Sequence, residues 1–204
     1  MSAEKPARET INQVAEEDVL RAHLYRFLAG YLAHPPSEDE LAVAASMVGD
    51  ETELGQAIQA LGKIANAVTP QQIDVEYHDL FIGVGRGELL PYASYYLTGF
   101  LMEKPLSKLR SDMGQLGIVR PDSVKEPEDH IAALMDMMAG IILGAFAGDG
   151  DVAAQKIFFD DHLAPWATHF FSDLEGAKSS VFYAALGTIG RVFMGIEKTA
   201  FAMD

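Results

Sequence analysis

The chain has 204 residues, 49% of them hydrophobic, and a formal net charge of −15. That length and apolar fraction suit a folded chain with its own core. The negative field opposes nucleic acid and anionic membranes as partners and attracts a cationic peptide. No cysteine is present, which excludes disulfides, thiolate zinc sites and cysteine nucleophiles.

The N-terminal stretch MSAEKPARETINQVAEEDV has no apolar segment of the secretory type, so the expected address is the cytoplasm. Residues 1–10 are expected to fray. From Asn12 to Ala33, Val19, Leu20, Leu24, Phe27, Leu28 and Tyr31 recur at helical steps, giving an amphipathic helix. His34-Pro35-Pro36 ends it, because a residue before proline is pushed out of helical geometry. Ser37 and Glu40 form a capping-box start for a helix to Met47. Thr52 to Val68 reads as a third helix. Thr69 caps a fourth with Pro70 at its first position, where a missing N–H costs nothing.

The fourth helix carries Tyr77 and Phe81 and runs into Gly83-Val84-Gly85-Arg86-Gly87. A dinucleotide fingerprint needs a strand before such a run and a glycine at the position Glu88 occupies, so a helix-to-helix turn is the better account. Pro91 opens a short element. Lys104-Pro105 opens a helix to Leu116, with Gly117 closing it. Residues Arg120 to Glu126 form a polar loop. Pro127 is expected to start a long apolar helix that fades at Gly148-Asp149-Gly150. Its most apolar part, Ile131 to Ala147, sits at the lower limit for a membrane span and lacks cationic flanks, so a buried core helix is expected and no stable membrane insertion. Helices over Asp151–Leu163 and Pro165–Leu174 follow, and a last one runs from Ser179 or Ser180 to Ala202. Period-two alternation is nearly absent. The fold class is all-α, one domain over residues 1–204 with eight to ten helices.

Two polar clusters stand out. Glu126-Pro127-Glu128-Asp129-His130 precedes the apolar helix, where acids are stabilised by the helix dipole and free N–H groups. This cluster is either a capped helix start or a set of groups facing a groove. Glu126 and His130 have a usable ligand spacing, but a helical di-iron site needs repeated Glu-x-x-His and the chain has none. Asp160-Asp161-His162 with His169 is interrupted by Pro165, which weighs against a metal site. No Ser/His/Asp arrangement emerges from spacing. No cofactor is assigned. Most of the aromatic residues and Met135, Met137 and Met138 are expected in the core, although such side chains also suit adaptable grooves.

Tyr77, Leu80-Phe81, Gly83, the Pro91-Tyr92-Ala93-Ser94-Tyr95-Tyr96-Leu97 stretch, Pro105-Leu106 and Glu126-Pro127-Glu128-Asp129-His130-Ile131-Ala132 together resemble the TorD/DmsD/NarJ-type maturation chaperones of molybdenum redox enzymes, most closely the TorD side. The pairing of a Pro-Tyr-x-Ser motif with a later Glu-Pro-x-Asp-His motif carries the resemblance. It implies an all-helical, non-catalytic protein. Such a protein binds the twin-arginine leader peptide of a molybdoenzyme, and its apo form, in the cytoplasm until the molybdenum cofactor is inserted. The leader-binding residues it implies are Tyr77, Phe81, Pro91, Tyr92, Ser94, Glu126, Asp129 and His130. Val84 and Leu134 depart from the family pattern, where proline and glutamate are common. The run His130 to Leu134 with Met137 to Gly140 is similar to relatives associated with formate dehydrogenase. A monomer and a homodimer are both compatible with the sequence. On this reading Asp129→Ala weakens leader binding with little loss of stability. The competing expectation is a nucleotide-processing hydrolase using Asp129, His130 and Arg86.

Overall fold

The structure is a computed structural model that describes residues 15–121, 123–147 and 150–203. Within them lie ten α-helices: α1 Glu16–Ala33, α2 Glu38–Ser46, α3 Glu53–Ala65, α4 Pro70–Tyr77, α5 Ala93–Thr98, α6 Lys104–Leu116, α7 Ile131–Ile142, α8 Val152–Phe158, α9 Ala167–Gly176 and α10 Phe182–Met203. Each of α4 and α8 continues into a π-helical turn, His78–Ile82 and Phe159–Leu163. No strand is formed among the described residues, so the all-α expectation holds.

Several predicted boundaries follow local chemistry. Helix α1 stops where His34 turns extended before Pro35; residues 12–14 of the expected helix lie outside the described residues. Ser37 and Glu40 make a reciprocal capping box on α2, and Thr69 makes one with Gln72 on α4. Gly117 takes the left-handed conformation that ends α6 (φ 71°).

The apolar helix departs from expectation at both ends. It starts at Ile131, four residues after Pro127, because residues 129–131 are hydrogen-bonded in extended form to another segment. It stops at Ile142, where Gly144 turns left-handed (φ 66°) and the Gly144 and Ala145 N–H groups close back on Ile141 and Gly140. Ten of its twelve residues are buried, including Met135, Met137 and Met138. It packs chiefly on α1 and serves as the central strut. No helix of the described residues is long and apolar enough to cross a membrane.

Helix α10 covers α3 and α9. It approaches α9 closely because Gly187 has no Cβ: one built there would lie 2.8 Å from the Phe171 carbonyl and 2.6 Å from the Glu175 nitrogen. Trp166, Phe170, Phe171, Phe182 and Tyr183 fill the space around this crossing as part of one contiguous core. The N-terminus of α10 is capped from a distance. The Glu76 carboxylate, on α4, accepts from the N–H groups of Val181 (2.8 Å), Phe182 (3.2 Å) and Tyr183 (2.8 Å). At the other end of α10, Glu197 is 1% exposed. It accepts from Arg21 Nε (2.9 Å), Arg21 Nη2 (2.8 Å) and the Tyr25 hydroxyl (3.0 Å), which fixes α1 to α10.

Candidate functional site

The two motifs singled out in the sequence meet through their backbones. The Ala93 N–H donates to the Asp129 carbonyl (3.0 Å), and the Ile131 N–H donates to the Pro91 carbonyl (2.8 Å). Tyr92 and His130 thus face each other in an isolated antiparallel bridge. Side chains reinforce it. Asp129 Oδ2 accepts from the Ser94 N–H at 2.8 Å, capping α5. His130 Nδ1 accepts from the Ala132 N–H at 3.2 Å, capping α7. The cluster therefore caps two helices, with only His130 capping the one that follows it in sequence.

On one side of the bridge lies an aromatic and acidic surface. The Tyr92 hydroxyl donates to Glu126, and its ring meets His130 edge-on at 5.1 Å between centroids. Glu126 is exposed and Tyr92 half-buried. Burial, then the hydrogen bond to Glu126, raises the Tyr92 phenol above its ordinary range. Burial and the field of Glu126 do the same to Tyr77, so these three groups share a neighbourhood. Tyr77 packs against Phe81 (5.0 Å) and both pack against Tyr183 (5.8 and 5.5 Å), while the Tyr77 hydroxyl donates to the Ala33 carbonyl. His130 is buried, and loss of water lowers its pKa to about 4. It is held neutral, as an acceptor at Nδ1 requires.

The other side of the bridge opens on a cavity of about 320 Å³ between α5, α6, the start of α7 and the π-turn after α8. Asp129 lines it. The residue is 1% exposed, and Oδ1 is buried with no hydrogen-bond partner. The hydroxyl of the neighbouring Ser94 is also buried and unpartnered. Buried polar atoms are rarely left so, and an orphaned carboxylate oxygen costs about 1–3 kcal/mol or more. The arrangement suits an incoming donor, above all a cation.

A family model described as nitrate reductase delta subunit matches residues 49–172, more than half of the chain and the whole of this site. The chain belongs to that family, the TorD/NarJ-type maturation chaperones. It is similar to the chaperone protein TorD of Vibrio cholerae serotype O1, 26% identical over 87% of this chain and 90% of the relative. It is similar also to TorD of Aliivibrio fischeri, 24% identical over 92% and 97%. Among solved structures it resembles a candidate redox enzyme maturation protein from Archaeoglobus fulgidus. The TM-score is 0.58 at 22% identity, over 92% of this chain and 99% of that one, a likeness of fold. The named relatives are chaperones rather than enzymes, and the chain is read with them as non-catalytic.

In this member of the family all eight implied residues fall in one region, but on two faces. Tyr77, Phe81, Tyr92, Glu126 and His130 gather on one. Pro91 accepts the Ile131 N–H beside the Tyr92–His130 bridge, and Ser94 bonds Asp129, which lines the cavity. Glu128, Asp129 and His130 are buried, so the expectation that Asp129 and His130 both face an open groove is corrected: Asp129 reaches a cavity, and His130 is packed against Tyr92. Burial works to raise the Glu128 carboxyl, but hydrogen bonds from Arg110 lower it overall. Arg110 donates from Nε at 3.0 Å and from Nη2 at 2.8 Å, tying the motif to α6.

The hydrolase reading finds no support. Arg86 Nη2 donates to the Tyr95 hydroxyl (2.6 Å), and the guanidinium lies over that ring at 5.2 Å. Among the described residues no hydrogen bond or ion pair joins it to Asp129 or His130. The glycine run follows a π-turn, and Gly83 takes a left-handed turn (φ 59°) that a side chain would strain. His162 and His169 are separated in environment: His162 is buried beside Asp112 (2.9 Å), and His169 is exposed beside Asp173. Among the described residues no group of three or more His, Asp or Glu side chains is arranged to hold a metal.

Sequence reasoning missed the cavity's other walls: Leu97, Thr98, Lys104, Lys108, Asp161 and His162. Lys108 joins α6 to the π-turn through Asp161 (2.7 Å) and also pairs with Asp112 on its own helix (2.9 Å). The i,i+4 spacing of Lys108 and Asp112 was a readable signal for that pair. Nothing in the sequence placed Asp161 beside them.

Proposed function

We propose that this protein is a cytoplasmic chaperone that binds the twin-arginine leader of a molybdoenzyme. It also engages the apo enzyme and delays export until the cofactor is inserted. The observation that carries this reading is Asp129: a buried carboxylate with an unpartnered oxygen, held on bridged motifs at the wall of a cavity. A guanidinium supplies up to five donors and matches such a group. Exposed Glu126 attracts the second arginine, and Tyr77, Phe81 and Tyr92 flank the bound segment. The net charge of −15 steers a cationic peptide toward the protein. The similarity of the His130 to Leu134 run to relatives associated with formate dehydrogenase makes that enzyme class the proposed client.

Calorimetry with a synthetic leader carrying two adjacent arginines tests the reading, with a Lys-Lys version and a scrambled sequence as controls. The expected affinity is micromolar, about −8 kcal/mol, since a disordered leader must be ordered on binding. The Lys-Lys version binds more weakly, because an ammonium lacks the planar fork. Absence of heat, or equal binding of the scrambled peptide, removes this function.

A further inference from the structure

The loop between α5 and α6 presents apolar side chains to water. Phe100 is 70% exposed and Met102 72%, with Leu97 and Leu101 beside them also exposed. Scattered exposed apolar residues are ordinary, but four within six consecutive positions at one corner are not. The corner is also built rather than slack. Thr98 Oγ1 donates to the Ser94 carbonyl (2.7 Å) and accepts from the Phe100 N–H (3.2 Å). Met102 adopts φ 59°, a left-handed conformation unusual for a non-glycine residue. Ordering an exposed, strained methionine gives the free protein nothing.

This corner is the rim of the cavity. Leu97 and Thr98 on one side of the loop, and Lys104 and Pro105 on the other, line the cavity whose inner wall holds Asp129. Charge within it is uneven. Lys108 is neutralised by Asp112 and Asp161. Lys104 is exposed, so its charge is screened by water and salt, whereas Asp129 lies beneath the surface and is screened far less. A cation-accepting point therefore adjoins an apolar rim.

We propose that Leu97, Phe100, Leu101 and Met102 seat the aliphatic run of the bound peptide, with the adjoining cationic side chain held at Asp129. The occupant is a peptide in which arginine is followed by an apolar stretch; its charge complements the carboxylate and its aliphatic side chains cover the corner. This rests on the leader-binding reading and assigns the surface for the leader's second half.

The test measures fluorescence anisotropy of a labelled synthetic peptide with two arginines followed by a run of leucine and alanine. It compares wild type with Phe100→Ser and Met102→Gly. Both positions are exposed, and Met102→Gly removes the side chain while relieving its left-handed backbone, so a folding defect is not the route to any loss. Unfolding midpoints check that. Expected is a weakening of about tenfold or more for the double variant. A control peptide with serine and glycine in place of the aliphatic run binds wild type and variant alike. If wild type binds the first peptide and both variants match it within about twofold, the surface assignment is overturned and leader binding stands. If wild type binds no arginine peptide, both fall. Conversion of a dimer into a monomer by the variants, with peptide affinity unchanged, makes the corner a subunit contact and also overturns the assignment.

Discussion

Asp129 holds Ser94 through its side chain: the carboxylate accepts the Ser94 backbone N–H at 2.8 Å, while the Asp129 carbonyl accepts the neighbouring Ala93 N–H at 3.0 Å. The residue that lines the cavity and keeps one carboxylate oxygen without a partner is thus also a structural cap. The expectation that Asp129→Ala leaves stability intact is revised accordingly. That change strands the Ser94 N–H and should cost about 1–2 kcal/mol. Asp129→Asn keeps an acceptor oxygen for Ser94 while removing the charge. It should lose leader affinity by about tenfold with a smaller change in the urea midpoint. Denaturation and calorimetry on both variants separate cap from binding group. Equal effects of Asn and Ala on both measurements would reduce the residue to its capping role.

His130 makes stability depend on pH. Its pKa is about 4 in the folded protein against an ordinary 6.5, because burial excludes water. Between those values the unfolded chain binds the extra proton, so stability is fully present above pH 6.5 and is lost as pH falls toward 4. The difference corresponds to about 3 kcal/mol. His130→Asn retains a capping acceptor without a titrating ring, and its stability should fall less over the same interval. Urea midpoints at pH 7.5, 5.5 and 4.5 measure this. An unchanged slope in the variant would assign the pH dependence to other groups, buried His162 first, whose pKa burial also lowers.

Glu76 closes the N-terminus of α10 with three hydrogen bonds. Glu76→Ala should leave three buried or half-buried N–H groups without partners and destabilise by about 3 kcal/mol, whereas Glu76→Gln, which keeps one acceptor oxygen, should cost less. Thermal melting ranks the two. Leader affinity should follow stability only, since Glu76 stands outside the cavity.

Gly187→Ala tests the α9–α10 crossing. Alanine is better than glycine in a helix by about 1 kcal/mol, yet its Cβ would meet the Phe171 carbonyl and the Glu175 nitrogen, both backbone atoms. Overpacking against backbone outweighs propensity, for a net loss of about 2 kcal/mol or more. Gly195→Ala, on the same helix with nothing within 4 Å of the added carbon, should instead be neutral or stabilising. A lower melting point for the second variant than for the first would contradict this account.

Local rules sufficed wherever the deciding interaction lay within a few residues. The Ser37–Glu40 and Thr69–Gln72 capping boxes, the stop at His34-Pro35 and the left-handed Gly117 were all legible because each is made by neighbours in sequence. The apolarity of Ile131 to Ile142 marked a buried core helix for the same reason. The pairing of the Pro91-Tyr92-x-Ser94 and Glu126-x-x-Asp129-His130 motifs was legible as a resemblance, and it named the residues before their geometry. What stayed hidden was made by contacts across long stretches of chain. The start of α7 is displaced because residues 129–131 bond to residues 91–93. Asp161 meets Lys108, Glu76 caps Val181 to Tyr183, and the Asp129 oxygen is orphaned because α5 and α6 close around it. Sequence periodicity determined which segments become helices, since that depends on neighbours one turn away. The tertiary structure decided which polar atoms remain without partners, since burial is set by how distant helices pack.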